Sequence, residues 1–199
     1  MAVNAKSSTR TTILNATLKL MESSESLDEV TMRAVASLAG ITPMAIYKHF
    51  KDRDALLLAA VAAEYRRLGG YFERANAKRD VPGLRGMLGY CDYALDHPQL
   101  FQFMFSGTRP DAFEFPRDLG SGKSPTFDGL LSVVSQLMER GVLRRDDVGA
   151  TALSIWAHAH GLIALYQCGR INLPRPFFRK LYMQSLDRLL AGLVARGSG

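Results

Sequence analysis

Cysteine is scarce in this chain: Cys91 and Cys168 are the only two in 199 residues. Thiols so far apart, with no further cysteine beside either, encode neither a disulfide framework nor a zinc motif. Stability must come from apolar burial, and a reducing cytoplasm suits such a chain. Long apolar runs are missing too. No eighteen consecutive residues are apolar, so a membrane span is not expected. Residues 1–10 are polar and lack the apolar stretch of a secretory signal. The chain also lacks a glycine-rich phosphate loop, a nucleophile elbow and a zinc-protease signature. No nucleophile–base pair or converging carboxylates announce hydrolase or transferase chemistry. The expectation is a non-enzyme that needs neither cofactor nor metal. Sustained strand alternation is absent as well, which points to an all-α fold.

What is present is a core-forming composition, 47% hydrophobic against 22% charged, with a formal charge of +6. A positive balance favours polyanions but does not say how they are read. Its distribution matters more than its size. Residues 1–60 hold seven Lys/Arg against six Asp/Glu, residues 61–165 twelve against twelve, and residues 166–199 six against one. The excess sits at the C-terminal end, so an argument for nucleic acid has to come from pattern.

Apolar spacing predicts about nine helices. The first covers 11–22 and the second Thr31 to Leu38; Ala39-Gly40 ends the second, with Gly40 in the left-handed conformation. Thr42-Pro43 reads as an N-cap with proline at the first helical position, opening a third helix to about His49. Asp52 caps a long fourth helix to about Asn76, and Pro82-Gly83 marks a restart. A fifth helix stops before Pro98, and Gln99 to Phe105 forms a sixth. Residues 106–125 read as a long, mobile loop. Phe127 to Arg140, Asp147 to Gln167 and Pro176 to Val194 complete the set.

Two short helices joined through Ala39-Gly40-Ile41 have the geometry of a helix-turn-helix, whose second member can lie in the DNA major groove. The residues Thr31-x-Arg33-x-Val35-Ala36-x-x-Ala39-Gly40-Ile41-Thr42-x-x-x-Ile46-Tyr47-x-His49-Phe50-x-x-Arg53-x-x-Leu56 closely resemble the signature of the tetracycline-repressor (TetR) family. The resemblance covers roughly residues 10–60. It implies a DNA-binding domain over 1–55 and a ligand-binding, dimerising domain over 56–199. It also implies that Thr31, Thr42, Tyr47, His49 and Lys51 contact backbone phosphates. Reading of bases falls to Pro43, Met44, Ala45 and Lys48, the exposed part of the third helix. Met44 and Ala45 can touch thymine methyls, whereas Lys48 could reach guanine; the alternative for Met44 is a core filler. Lys6 and Arg10 belong either to an arm entering the minor groove or to a solvated tail. Ala36, Ala39 and Gly40 are small where two helices pass closely.

Further along, Trp156, His160 and Gly161 resemble the tryptophan-histidine-glycine motif of one subgroup of that family's regulatory domains. Ala157, Ala159, Gly161 and Ala164 are small enough to admit another helix. Ala152, Ile155, Ala159, Leu162 and Tyr166 form one stripe. Phe178, Tyr182, Leu186, Leu189 and Leu193 form a second. The resemblance makes them a twofold, four-helix interface of a homodimer; the plain alternative is packing inside one chain. A pocket for a small apolar or aromatic effector would draw on Met87, Tyr90, Cys91, Phe101, Met104, Phe105, Phe127, Leu131, Met138, Trp156 and His160. His160 is otherwise a hydrogen-bonded interior histidine. His158 and His160 are two apart and cannot share a helix face, which argues against a metal site. The implied function is a cytoplasmic transcriptional repressor that binds double-stranded DNA as a homodimer and leaves a palindromic operator when the effector binds. An activator, a corepressor-dependent regulator and a helical protein-interaction module without specific DNA binding are the alternatives.

Overall fold

The computed structural model describes residues 2–77, 86–105 and 113–194, with side chains described from Thr9 onward. Pro82-Gly83, residues 106–112 and the Lys6 side chain therefore lie outside the described residues. Among the described residues the chain forms nine α-helices: α1 Ala2–Ser23, α2 Met32–Ala39, α3 Pro43–Tyr47, α4 Arg53–Asn76, α5 Gly86–Asp96, α6 Pro98–Phe105, α7 Pro125–Glu139, α8 Val148–Gln167 and α9 Arg175–Ala191. There is no sheet among them, only an isolated bridge between Leu143 and Val194. The all-α expectation holds.

Caps explain several boundaries. The Thr31 side chain accepts from Ala34 N at the start of α2, and Asp147 does the same from Ala150 N at the start of α8. Asp52 accepts from Ala55 N at 2.7 Å and so caps α4. Gly40 closes α2 at φ 67°, where Ile41 N–H donates to the Ala36 carbonyl at 3.0 Å. A Cβ at Gly40 would meet nothing within 4 Å, so the residue is required by its backbone angle and not by a close helix approach. Helix α1 begins nine residues before the expected position. Between α1 and α2 a short 3-10 turn, Leu27–Glu29, is capped by Ser26, which the sequence pattern does not reveal.

Two compact units emerge. The first comprises Met1–Arg67 with His97–Gly107, and the second Leu68–Asp96 with Thr108–Gly199. In the first, α1 packs on α2 and α6, and α2 on α3, burying Ile13, Met21, Val35, Ile46, Phe50, Leu56 and Leu100. His97 at the entry to α6 hydrogen-bonds Glu22 of α1 at 2.6 Å. In the second, α8 packs on α5, α7 and α9, and α5 on α9. Helix α8 has the length and apolar composition to cross a membrane, although no run of eighteen apolar residues marks it in the sequence. It buries Ala152, Ile155, Ala159 and Ile163 against its neighbours.

Helix α5 meets the last turns of α4 at a glycine. A Cβ at Gly89 would sit 2.7 Å from the Tyr71 carbonyl carbon, and one at Gly86 would sit 2.8 Å from the Phe72 ring. Backbone cannot give way as a flexible side chain can. Gly89→Ala is therefore expected to destabilise the chain by about 1–3 kcal/mol, as overpacking does, with a lower melting temperature by circular dichroism. Gly129→Ala on the exposed side of α7, where a Cβ meets nothing within 4 Å, should instead be neutral or stabilising. Equal effects at the two positions would refute the steric role of Gly89.

Candidate functional site

The candidate site of the first unit is the outer face of α3. Three buried side chains, Val35, Ile46 and Phe50, fix α3 against α2. With Ile46 and Phe50 turned inward, the opposite side of the helix faces water. Met44 is 69% and Tyr47 50% exposed; Pro43, Lys48 and Lys51 are exposed, and Ala45 and His49 half-buried. Met44 is thus not a core filler.

The two threonines differ. Thr31 uses one lone pair of its hydroxyl as the α2 cap, 3.1 Å from Ala34 N, which leaves the O–H proton able to donate. Thr42 occupies the N-cap position of α3, but its side chain makes no capping bond. The Thr42 carbonyl takes the Ala45 N–H at 2.9 Å instead. Lys51 lies 3.4 Å from Asp52. The Ala55 N–H, first, and Lys51 hold the Asp52 carboxyl below its usual range.

Arg10 lies on the continuous helix α1 rather than on an extended arm, with its guanidinium 4.9 Å from the centre of the Phe50 ring. Arg53, at the start of α4, reaches back across the sequence. Its Nε donates to the Val30 carbonyl at 2.9 Å and its Nη2 to the Leu27 carbonyl, fastening the turn that leads into α2. Those partners are 23 and 26 residues away, so no local pattern announces the contact.

In the second unit the aromatic residues meet around Tyr90. Trp156 Nε1 donates to the Tyr90 hydroxyl at 3.1 Å, and that hydroxyl lies 2.9 Å from His160 Nδ1. Phe72 approaches Tyr90 at 6.2 Å between ring centres, and Phe127 packs edge-on to Trp156 at 5.7 Å. Phe113 packs on Phe127 at 4.9 Å. Tyr90 is buried, whereas Trp156 and His160 are half-buried. Burial pushes the His160 imidazole below its usual 6.5.

Phe113 opens the described part of the 106–125 segment expected to be a mobile loop, yet residues 113–124 are organised around the buried Asp118. That carboxylate accepts from Arg117 Nη2 at 2.8 Å, Lys123 Nζ at 3.1 Å and Glu114 N at 3.1 Å. The Arg117 hydrogen bonds hold it well below the usual carboxylate range.

The other residues expected at the pocket are dispersed. Phe101, Met104 and Phe105 lie on α6 in the first unit, where Phe105 packs edge-on to Tyr65. Met87 and Cys91 lie on the α9 side of α5. The Met87 carbonyl accepts from Tyr182 Oη at 2.8 Å, and burial pushes the Cys91 thiol up to about 12. Met138 is three turns along α7 from Phe127, about 16 Å by helix rise, and Leu131 between them is half-buried.

Of the residues expected at a dimer interface, Ala152, Ile155, Ala159, Phe178, Tyr182 and Leu186 are covered inside the chain. Leu162, Tyr166, Leu189 and Leu193 are half-buried. The open side of α8 instead carries Ser154, Ala157, Gly161, Ala164 and the exposed Leu165, and a Cβ at Gly161 would meet nothing within 4 Å. His158 Nε2 lies 3.0 Å from Ser185 Oγ. Among the described residues no three His, Cys, Asp or Glu side chains converge to hold a metal ion.

Residues 13–60 match the family described as bacterial regulatory proteins, tetR family, and residues 85–193 match the tetracyclin repressor-like C-terminal domain. No curated protein matches the sequence. Among solved structures, a protein of unknown function from Rhodococcus sp. RHA1 superposes with a TM-score of 0.73 at 24% identity, covering 92% of this chain and 96% of its own. A TetR family transcription regulator from Marinobacter aquaeolei VT8 gives 0.68 at 17% identity, covering 98% of this chain and 100% of its own. A TetR-family transcriptional regulator from Pectobacterium atrosepticum gives 0.69 at 18%, covering 97% of each.

Two outcomes follow from this geometry. Arg53→Ala removes charge-assisted bonds to buried-side carbonyls and should cost about 1.5–3 kcal/mol, read as a lower denaturation midpoint; an unchanged midpoint would show that the clamp carries no load. For His160 the folded pKa lies below the unfolded 6.5, so the unfolded chain takes up the proton first as pH falls. Stability is then complete above about pH 6.5 and declines as pH drops below that value. In His160→Gln the decline over this window should be shallower, and identical pH profiles for the two proteins would remove His160 as its source.

Proposed function

The chain belongs to the tetR family of bacterial regulatory proteins, and from that premise we propose that it is a DNA-binding transcriptional repressor released from a palindromic operator by a small, mostly apolar effector. The observation that carries this reading is the solvent-facing side of α3 and its flanks, which presents Thr42, Met44, Tyr47, Lys48 and Lys51 beside the buried Val35, Ile46 and Phe50. Thr31, Thr42, Tyr47, His49 and Lys51 contact phosphates, and Pro43, Met44, Ala45 and Lys48 face base edges. Arg10, exposed beside Phe50, adds a cation at the edge of the same face. Residues 1–55 perform the DNA binding, and 56–199 the ligand sensing and dimerisation.

Met44 and Ala45 supply apolar contacts and no bidentate hydrogen bonds, so sequence preference leans on thymine methyls and on Lys48. A palindromic site requires a twofold protein. The open side of α8 supports one: Ser154, Ala157, Gly161 and Ala164 recur at helical spacing, and small side chains let a second copy's helix approach closely. The pattern of Trp156, His160 and Gly161 supports a place for the effector domain in the tryptophan-histidine-glycine subgroup, and the Tyr90–Trp156–His160 cluster, walled by Phe72, Phe113 and Phe127, is the effector site in this reading.

The test begins with selecting the preferred duplex and measuring retardation against excess nonspecific DNA. Specific retention supports regulation, whereas equal affinity for all duplexes rejects it. Lys51→Ala should weaken operator and nonspecific binding alike and lower the salt slope by about one unit, because one phosphate partner is lost. Met44→Ala should change the ranking of duplexes; a uniform loss would place Met44 in a supporting role. Light scattering should give twice the 21.9 kDa chain mass, and Ala157→Arg should yield a folded monomer. A monomeric wild type would sink the twofold reading.

A further inference from the structure

The chain enters α2 through a tight corner. Val30 has φ −80° and ψ 74°, and the Thr31 N–H donates to the Glu29 carbonyl at 2.9 Å, which makes an inverse γ-turn centred on Val30. The Val30 side chain is buried, so one side of that turn is anchored in the core. Its carbonyl accepts from Arg53 Nε at 2.9 Å, and Arg53 Nη2 donates to the Leu27 carbonyl, which also takes the Val30 N–H at 3.0 Å. A planar guanidinium holds these two carbonyls at a fixed spacing, which a single ammonium cannot do. The peptide that carries the Val30 carbonyl also carries the Thr31 amide, so fixing its plane fixes the direction in which Thr31 leaves the turn. Thr31 then opens α2. Its hydroxyl oxygen takes the Ala34 N–H at 3.1 Å, and helical bonding begins with the Val35 N–H on the Thr31 carbonyl at 2.9 Å. The Met32 and Arg33 amides belong to the first turn, where no carbonyl precedes them within the helix.

We propose that Arg53 is a positioning residue for DNA: through the Val30 and Leu27 carbonyls it aims the Thr31 hydroxyl and the first amides of α2 at one backbone phosphate, and it does not hold that phosphate itself. The proposal rests on the reading of Thr31 as a phosphate contact and adds the residue that directs it. The surroundings of Arg53 favour this role over a direct contact. Its side chain is only 33% exposed, and its Nη2 lies 3.9 Å from the Asp28 carboxylate, whose charge would repel a phosphate brought to the same place. Turning Val30 from ψ 74° to an extended value near +145° would swing the Thr31 end of the turn by about 70° and carry its hydroxyl off the phosphate. A hydroxyl and two amides neutralise no phosphate charge, so Arg53 governs a part of the affinity that does not depend on salt.

The test compares the full chain with Arg53→Lys, which keeps the charge and loses the fork, on the selected duplex at a temperature where both are folded by circular dichroism. Arg53→Lys should bind about tenfold more weakly, the size of one charge-assisted hydrogen bond, with the salt slope unchanged. Its Ala34 and Val35 amides should exchange faster with solvent, whereas the Phe50 amide of the neighbouring helix should not. Operator phosphates are then replaced one at a time by methylphosphonate. One position should weaken the wild type and leave Arg53→Lys, which has already lost that contact, unaffected. The wild type alone supplies a further check, because the Arg53 Nε–H signal should be as protected from exchange in the DNA complex as in the free protein. Arg53→Lys binding as tightly as the wild type would overturn the proposal and leave DNA binding standing, since charge alone would then suffice. Equal losses for both proteins at every phosphate, or an Nε–H that loses its protection on DNA, would overturn it as well. If the wild type retains no duplex over excess nonspecific DNA, the DNA reading falls and the proposal falls with it.

Discussion

Val35, Ile46 and Phe50 are withdrawn from water between two helices of eight and five residues. Helices so short do not persist alone in water, because nucleation costs more than a few hydrogen bonds return. Their existence here is a tertiary effect. Burying side chains of this kind is worth about 1.5–3 kcal/mol each, and this holds α3 at one angle to α2. Every outward residue of α3 inherits its direction from that wedge. The left-handed turn at Gly40 sets how the chain enters the corner, and Arg53 secures the backbone just ahead of α2. A recognition surface with two half-formed helices would meet DNA as an ensemble and would have to be ordered on binding, at a cost in affinity. The wedge removes that cost beforehand.

Features of the sequence that act locally were legible. The Gly40 stop, the Asp52 cap and the stop before Pro98 each concern residues within one turn of each other, and the described helices lie within a few residues of the spans expected from apolar spacing, apart from the start of α1. Contacts between distant segments were not. Arg53 looks like any exposed cation at a helix start until its carbonyl partners are known. Gly89 looks like a defect in an apolar helix until the Tyr71 backbone is placed against it. Asp118 sits in a stretch rich in glycine and proline, and only the convergence of Arg117 and Lys123 turns that stretch into an ordered strap.

The stripes on α8 and α9 show the same limit in another form. Periodicity says that Ala152, Ile155 and Ala159 share a face; it does not say which neighbour that face meets. In the structure they are covered within the chain, as are Phe178, Tyr182 and Leu186 on α9. The face left open on α8 is made mostly of small residues, with Leu165 exposed at its C-terminal end, and small residues carry little hydropathy signal and are easily passed over. A small-residue face gains its stability from close backbone approach and dispersion rather than from large apolar side chains, so hydrophobic spacing is the wrong instrument for finding it.

The aromatic cluster was legible in composition but not in membership. Tyr90, Phe127, Trp156 and His160 come together, whereas Phe101, Met104 and Phe105 belong to the unit that contains α3. Helix α4 contributes its first part to that unit and its last turns to the other, so one continuous helix bears both the Arg53 clamp and the Phe72 ring that packs on Tyr90. An effector that touches Phe72 and Tyr90 does work on α4 only if its affinity differs between two positions of that helix; equal affinity for both moves no population. The close fit of Gly89 on Tyr71 narrows the positions available, because backbone packed on backbone shifts in discrete steps or not at all. The Gly89–Tyr71 contact thus fixes the last turns of α4 on α5 within the second unit, and the Arg53 bonds fix its first turn to the backbone ahead of α2 within the first.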